Sequence, residues 1–347
     1  MEKTTNPERR LFFLDWVRSV AILLIINAHF NDMLREYGIP AHVFHSNPSG
    51  LGVSLFITLS GASLMAAYGK DLGGVSSFFW KRFLTIFPLF WLCYLLFYVA
   101  LSVQGGTFPP MQGNPLKYLL TLTGFDGFFL YKASNFYLIG EWFLGLIILF
   151  YLSFPLLRHA VLAMGYWVLP CSLLLMVIAA HLHNIWQVEM GANRFPPSRL
   201  MEFIWGMTLV WYFCRQDVTW KERWRFLAAA AATFTGIYFF LKPAWLMPHI
   251  LAGLAAFPIL ALLAWPLGSG AMQSLTGFVS KYSYGAFLVH HQFLAFLFAF
   301  TTLPRYLFRE GSLYPVFFAY VTLVFMLSYL VTQCCQFAIG RLRGRKS

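Results

Sequence analysis

Leu14–Asn31, LDWVRSVAILLIINAHFN, is the stretch that decides how the rest of the chain is read. It is the first long apolar run, yet it carries Asp15 and Arg18 near its start and His29 near its end. Successive residues of an α-helix turn by about 100°, so the steps from Arg18 to His29 close to about 20° past three full turns. The two side chains therefore share a face, about 16 Å apart at a rise of about 1.5 Å per residue. Ile22 and Ile25 fall on the stripe between them. A cation and an imidazole on one face of a lipid-length helix are costly to keep in hydrocarbon. Such groups face a protein interior or a wet cavity, and mark a functional site.

The rest of the chain places that helix in a membrane. Of 347 residues, 59% are hydrophobic and 11% charged, with a mean hydropathy of +0.65. A soluble domain of this size and composition would expose an unwettable surface. The first apolar run is too long for a signal peptide and lacks a small-residue cleavage site, so it reads as a retained helix. The net charge of +12 raises nucleic acid as a partner. The charge sorts by side of the membrane instead, which argues for no nucleic acid. Cys93, Cys171, Cys214, Cys334 and Cys335 lie in or beside apolar runs without CxxC spacing and read as packing residues.

Spans need about 20 apolar residues each. Ten windows meet this, at 12–31, 51–69, 83–103, 138–157, 160–182, 198–215, 226–241, 246–265, 278–300 and 315–339. The expected fold is an all-α polytopic membrane bundle of about ten transmembrane helices in a single domain, 1–347. Residues 105–137 mix Pro and Gly breakers with a short apolar piece and read as a long external loop with a surface or re-entrant helix. With the N-terminus inside, the inner segments hold 16 Lys and Arg and the outer ones 8. That bias puts both termini in the cytoplasm.

Further polar groups punctuate the spans. Lys81 and Arg82, in FFWKRFLTIFP, stand at the cytoplasmic mouth; they suit an anion's phosphates or, more plainly, lipid headgroups. Glu141 opens the fourth span and would orient a histidine, bind a sugar hydroxyl or pair with an arginine. Arg199 and Glu202, in PPSRLMEFIWGM, share a helix face; they can pair locally or form an acceptor site. His290 lies near the bilayer midplane of the ninth span, and His291 points about 100° away, so at most one should face a given cavity. The remaining histidines lack the clustered ligands zinc requires, and no metal is expected.

Several of these stretches together resemble the acyltransferase-3 family of integral membrane O-acyltransferases. They are LDWVRSVAILLIINAHF, GLGVSLFITLSG, KRFLTIFP, EWFLGLIILFYLSFPLL, RLMEFIWGM and KYSYGAFLVHH, in the family's order. Two positions depart from the pattern. Thr85 stands where the family often has a second arginine, with Lys81 the nearest replacement, and Ala62 stands where a Phe is usual.

The resemblance implies transfer of an acyl group, commonly acetyl, from cytoplasmic acyl-CoA to a hydroxyl of a cell-surface or lipid-linked glycan. Acetyl-CoA would dock with its phosphates near Lys81 and Arg82, and its arm would run up a pore past Arg18. His29 would meet the thioester near the outer face, as general base or as transient acyl carrier. Glu141 is assigned with Arg18 and His29 to catalysis, and Arg199, Glu202 and His290 to the acceptor. The setting implied is a bacterial inner membrane, with lipids as neighbours and oligomers compatible.

Three rivals differ in what they require. A secondary transporter of a sugar or small metabolite would show repeated halves, which are not seen here. A glycan polymerase would favour an acidic external loop, and 105–137 holds Asp126 as its one acid. A scaffold would not need Arg18 and His29 on one face within the bilayer.

Overall fold

The computed structural model describes residues 12–39, 42–44, 49–105, 115–132, 136–213, 219–241, 248–264, 270–300 and 310–344. Among these residues, ten long helices match the ten expected windows. They are α1 (Phe12–Glu36), α2 (Ser49–Tyr68), α3 (Val75–Gly105), α5 (Glu141–Met164), α6 (Val168–Ile185), α7 (Pro196–Phe213), α8 (Trp220–Gly236), α9 (Pro248–Leu263), α10 (Gly270–Phe300) and α11 (Glu310–Gly344). A short α4 (Tyr118–Leu122) follows α3. No strand occurs among the described residues.

An apolar run in lipid must satisfy every backbone group internally, and a single chain segment does so only as a helix. Among the described residues, five helical stretches are long and apolar enough to cross a bilayer: Phe12–Glu36, Ser49–Tyr68, Val75–Gln104, Trp142–Ile185 and Leu313–Arg341. Their outward faces carry large apolar side chains such as Leu95, Leu156, Leu174 and Phe318, all more than half exposed. The protein is an integral membrane protein.

α2 lies at the centre, against α1, α5, α7 and α9. Its contact with α7 is backbone on backbone. A Cβ on Gly206 of α7 would sit 1.8 Å from the Thr58 carbonyl oxygen, and one on Gly61 would sit 2.0 Å from that of Phe203. Only glycine lets these helices approach so closely.

α1 and α10 run parallel in a fixed register: Arg18 meets Ser280 and His29 meets His290. Parallel neighbours need an odd number of crossings between them, and α2, α3 and α5–α9 make seven. That holds if α4 does not cross, and at five residues, about 7.5 Å, it is too short to do so. The Lys132–Glu189 ion pair joins the loop after α4 to the α6–α7 connection. This agrees with placing both on one side.

The turn between the fourth and fifth spans falls later than expected. Arg158, read from sequence as a loop cation, lies inside α5, and the chain turns at Gly165–Trp167 instead. Gly165 takes φ of +58°, a backbone region that disfavours other residues. The Arg158 guanidinium donates to the carbonyls of Tyr68, Gly69 and Lys70 at 2.7, 3.0 and 3.2 Å. It thereby caps the C-terminus of α2.

The loop after α4 folds back onto α3 and α5. Trp91 Nε1 donates to the Leu122 carbonyl at 3.0 Å and the Tyr94 hydroxyl to that of Phe136 at 2.7 Å. Asp126 is carried into this packing, 1% exposed, and burial pushes its carboxyl up to about 7. An unfolded chain loses that proton near pH about 3.9. The folded loop holds it longer, so the packing is most stable below that value and weakens as pH rises toward about 7. Amide exchange over residues 118–132, corrected for its intrinsic rate, is expected to be faster at roughly pH 7.5 than at roughly pH 4. Asp126→Asn should remove the difference; an Asn variant with unchanged pH dependence would refute the assignment.

Candidate functional site

A cavity of about 340 Å³ opens between α1, α2, α3, α5 and α10. Three cations line it, Arg18, Arg82 and Lys281, each from a different helix, and no acidic side chain does so among the described residues. Apolar walls come from Phe56, Leu59, Ile86, Ile147 and Tyr284.

Arg18 is fixed from two sides. Its Nη2 donates to Ser63 Oγ at 2.9 Å and its Nη1 to Ser280 Oγ at 3.3 Å. Ser280 in turn donates to Asp15 Oδ1 at 2.5 Å. Asp15 thus orients Arg18 through a serine on α10. Arg82 donates to the Tyr68 hydroxyl at 3.2 Å and lies over the Tyr68 ring at 5.4 Å. Its neighbour Lys81 is exposed and faces a separate depression beside Gln336 and Gly340. Of the two cations predicted at the inner mouth, Arg82 therefore lines the cavity. Lys281, counted from sequence only toward charge bias, is the added one.

The cavity ends at Phe143 and Phe287, whose rings meet edge to face at 5.6 Å. Phe287 stands one turn before His290, with ring centroids 6.2 Å apart. Neither His29 nor His290 lines the cavity. The open passage expected to run as far as His29 is thus capped by two phenylalanines one turn short of it.

Beyond this cap, His29 Nδ1 lies 2.7 Å from His290 Nε2, with the rings inclined by only 5°. His290 is fully buried and His29 half-buried. His290 Nδ1 is within 2.8 Å of the Phe287 carbonyl oxygen and 3.1 Å of that of Ala286. The Tyr320 hydroxyl donates to the His290 carbonyl at 2.8 Å, fixing this turn of α10 to α11. The His291 ring comes within 5.3 Å of His29 and is inclined to it by 63°. Both adjacent histidines therefore reach the same partner, where helical periodicity predicted one at most. His290 sits beside His29 itself, and the sequence reading had assigned it to the acceptor.

Arg199 and Glu202 lie apart from this cavity, in the packing of α2, α7 and α9. They are 1% and 0% exposed and bind each other through two contacts, at 2.5 and 3.0 Å. The remaining Arg199 nitrogen reaches the Asn193 carbonyl at 3.0 Å and His249 Nε2 at 3.4 Å. Ser54 Oγ donates to Glu202 Oε1. The expected acceptor pair is thus turned inward, its hydrogen-bonding capacity taken up by protein. Glu141 is the first residue of α5, and its side chain lies outside the described residues. Among the described residues, no three metal-ligating side chains gather as a metal site.

The profile of the acyltransferase domain family matches residues 11–333. A curated relative, "Protein 2 in picA locus" of Rhizobium radiobacter, is 35% identical over 109 residues, covering 29% of this chain and 52% of the relative. The match thus spans about half that relative's length. No solved structure matches.

Proposed function

Because the chain belongs to the acyltransferase-3 family, as an integral membrane acyltransferase, we propose that it carries an acetyl group across the bilayer. In this reading the donor is cytoplasmic acetyl-CoA and the acceptor a hydroxyl of a cell-surface or lipid-linked glycan. The membrane is a bacterial inner membrane with both termini cytoplasmic. The observation that carries the proposal is the cavity walled by Arg18, Arg82 and Lys281, which runs along α10 from Ser280 to Phe287, one turn before His290 of the His29–His290 pair. Phosphates suit a site with three cations and no acid. The transporter alternative has nothing further in its favour.

The donor's phosphates are held by Arg82 and Lys281, with Lys81 drawing them in from the surface. Arg18 steadies the arm farther in. About 16 Å of helix separates it from His29, too far for it to hold the charge on the reacting carbonyl. The acyl end must displace the Phe143–Phe287 cap to reach His29. Glu141, two residues before Phe143, belongs to that end of the site.

The acceptor oxygen attacks the thioester carbonyl carbon while its proton passes to His29. The carbon–sulfur bond then breaks, and the CoA thiolate leaves with that proton. Histidine suits the task because its ordinary pKa of about 6.5 lies near neutral pH.

Transfer of labelled acetyl from acetyl-CoA to surface glycan, by the purified protein in vesicles, tests the reading. Mass spectrometry of the glycan should show additions of acetyl size that vanish without the gene. Glycan that stays unmodified in the presence of active protein would overturn it. Arg82→Ala and Lys281→Ala are expected to raise the donor KM about tenfold each, or about 1.4 kcal/mol, and leave kcat nearly unchanged. A fall in kcat at constant KM would remove them from donor binding.

A further inference from the structure

We propose that His290 is a positioning residue that sets the tautomer of His29, a role resting on the acyl-transfer reading above. The argument is one of donors and acceptors. Carbonyl oxygens only accept, so His290 Nδ1, facing those of Phe287 and Ala286 at 2.8 and 3.1 Å, carries the hydrogen. A neutral ring then presents its lone pair at Nε2. That atom lies 2.7 Å from His29 Nδ1, so His29 donates from Nδ1. The lone pair of His29 is left at Nε2, the nitrogen pointing away from His290.

The ring geometry fits such a bond. The centroids are 4.9 Å apart with 2.7 Å between the nitrogens, so the contact runs nearly along the line of centroids and lies in the plane of both rings. An isolated histidine in water prefers the opposite tautomer, with hydrogen on Nε2, where it could not accept a proton. The buried partner therefore reverses the ring's own preference. When Nε2 takes the acceptor's proton, the resulting imidazolium still donates to His290, and the charge is shared along the relay toward two helix carbonyls. The order of groups is that of a nucleophile's base held by a third group. Here the third group is a second imidazole anchored to backbone.

Titratable groups beside the pair include His291, edge-on to His29 at 5.3 Å, and Tyr320 of α11, whose hydroxyl is committed to the His290 carbonyl.

Nitrogen-15 spectra of histidine-labelled full-length protein in lipid nanodiscs report tautomers directly. His29, assigned by the signals lost in His29→Ala, should appear as the Nδ1–H form. In His290→Ala it should revert to Nε2–H, with kcat falling about 100-fold, at the low end for a lost general base, and both KM values nearly constant. His290→Gln, whose side-chain oxygen can accept the same bond, should recover much of that loss. Wild-type His29 in the Nε2–H form would overturn the proposal. So would equal losses in the Ala and Gln variants with a raised acceptor KM, the mark of an acceptor contact. Absence of transfer by wild-type protein would strike the acyl-transfer reading instead and leave the tautomer spectra to decide this one.

Discussion

Replacement of His29 by alanine is expected to lower acyl transfer by about 10²–10⁴-fold, the span of a lost general base. Folding should survive it. The side chain is half-buried, and its removal takes from His290 Nε2 the donor it faces. A hydrogen bond of that kind contributes about 1 kcal/mol against a total stability of about 5–15 kcal/mol. Donor binding should survive too, because Arg18, Arg82 and Lys281 line a cavity that His29 does not touch. The expected signature is therefore a large fall in kcat at constant donor affinity, read from labelled-acetyl transfer and from direct titration with acetyl-CoA. If His29 instead carries the acyl group covalently, the loss is complete, and wild-type protein shows a rapid burst of free CoA that the variant lacks. Glycan acetylated normally by His29→Ala protein would rule out both versions.

That expectation began in the sequence, and how far it could go there has a physical cause. The helices were legible because an apolar run of lipid length has one solution for its backbone. The shared face of Arg18 and His29 was legible because helical geometry is rigid over three turns. Which helix lies opposite was not, since nothing local in either segment encodes the register of α1 on α10. Yet Ser280, Ser283, Tyr284 and Phe287 line the cavity and form one stripe with His290. The periodicity applied to the first span would have picked out that wall of the cavity in the ninth. Arg158 misled because a charge in an apolar run looks like a loop. Its long side chain instead reaches from inside a helix to the end of α2. The aromatic cap was invisible for a simpler reason: Phe is abundant throughout this chain, at 38 residues, so no single one stands out.

The Arg199–Glu202 pair shows the same limit and leads to the largest expected effect on stability. Spacing alone marked the two as able to pair, but not as buried, because Ser54, Asn193 and His249 come from distant or separate segments. Arg199→Ala leaves a carboxylate at 0% exposure without its countercharge, and Glu202→Ala leaves a guanidinium in the same position. Breaking a buried pair from one side costs about 3–5 kcal/mol, enough to approach the whole stability of a marginal protein. Both single variants are expected to accumulate poorly in membranes and to denature at much lower temperature or denaturant concentration in detergent. Replacing both at once, Arg199→Met with Glu202→Leu, removes two charges along with the cost of desolvating them. It should lie within about 1 kcal/mol of wild type, since apolar replacement of buried ion pairs is often neutral or better. The acceptor KM of that double variant then decides between roles. An unchanged value identifies the pair as a structural clasp between α2, α7 and α9. A value raised tenfold in a stable double variant would return Arg199 and Glu202 to the acceptor site.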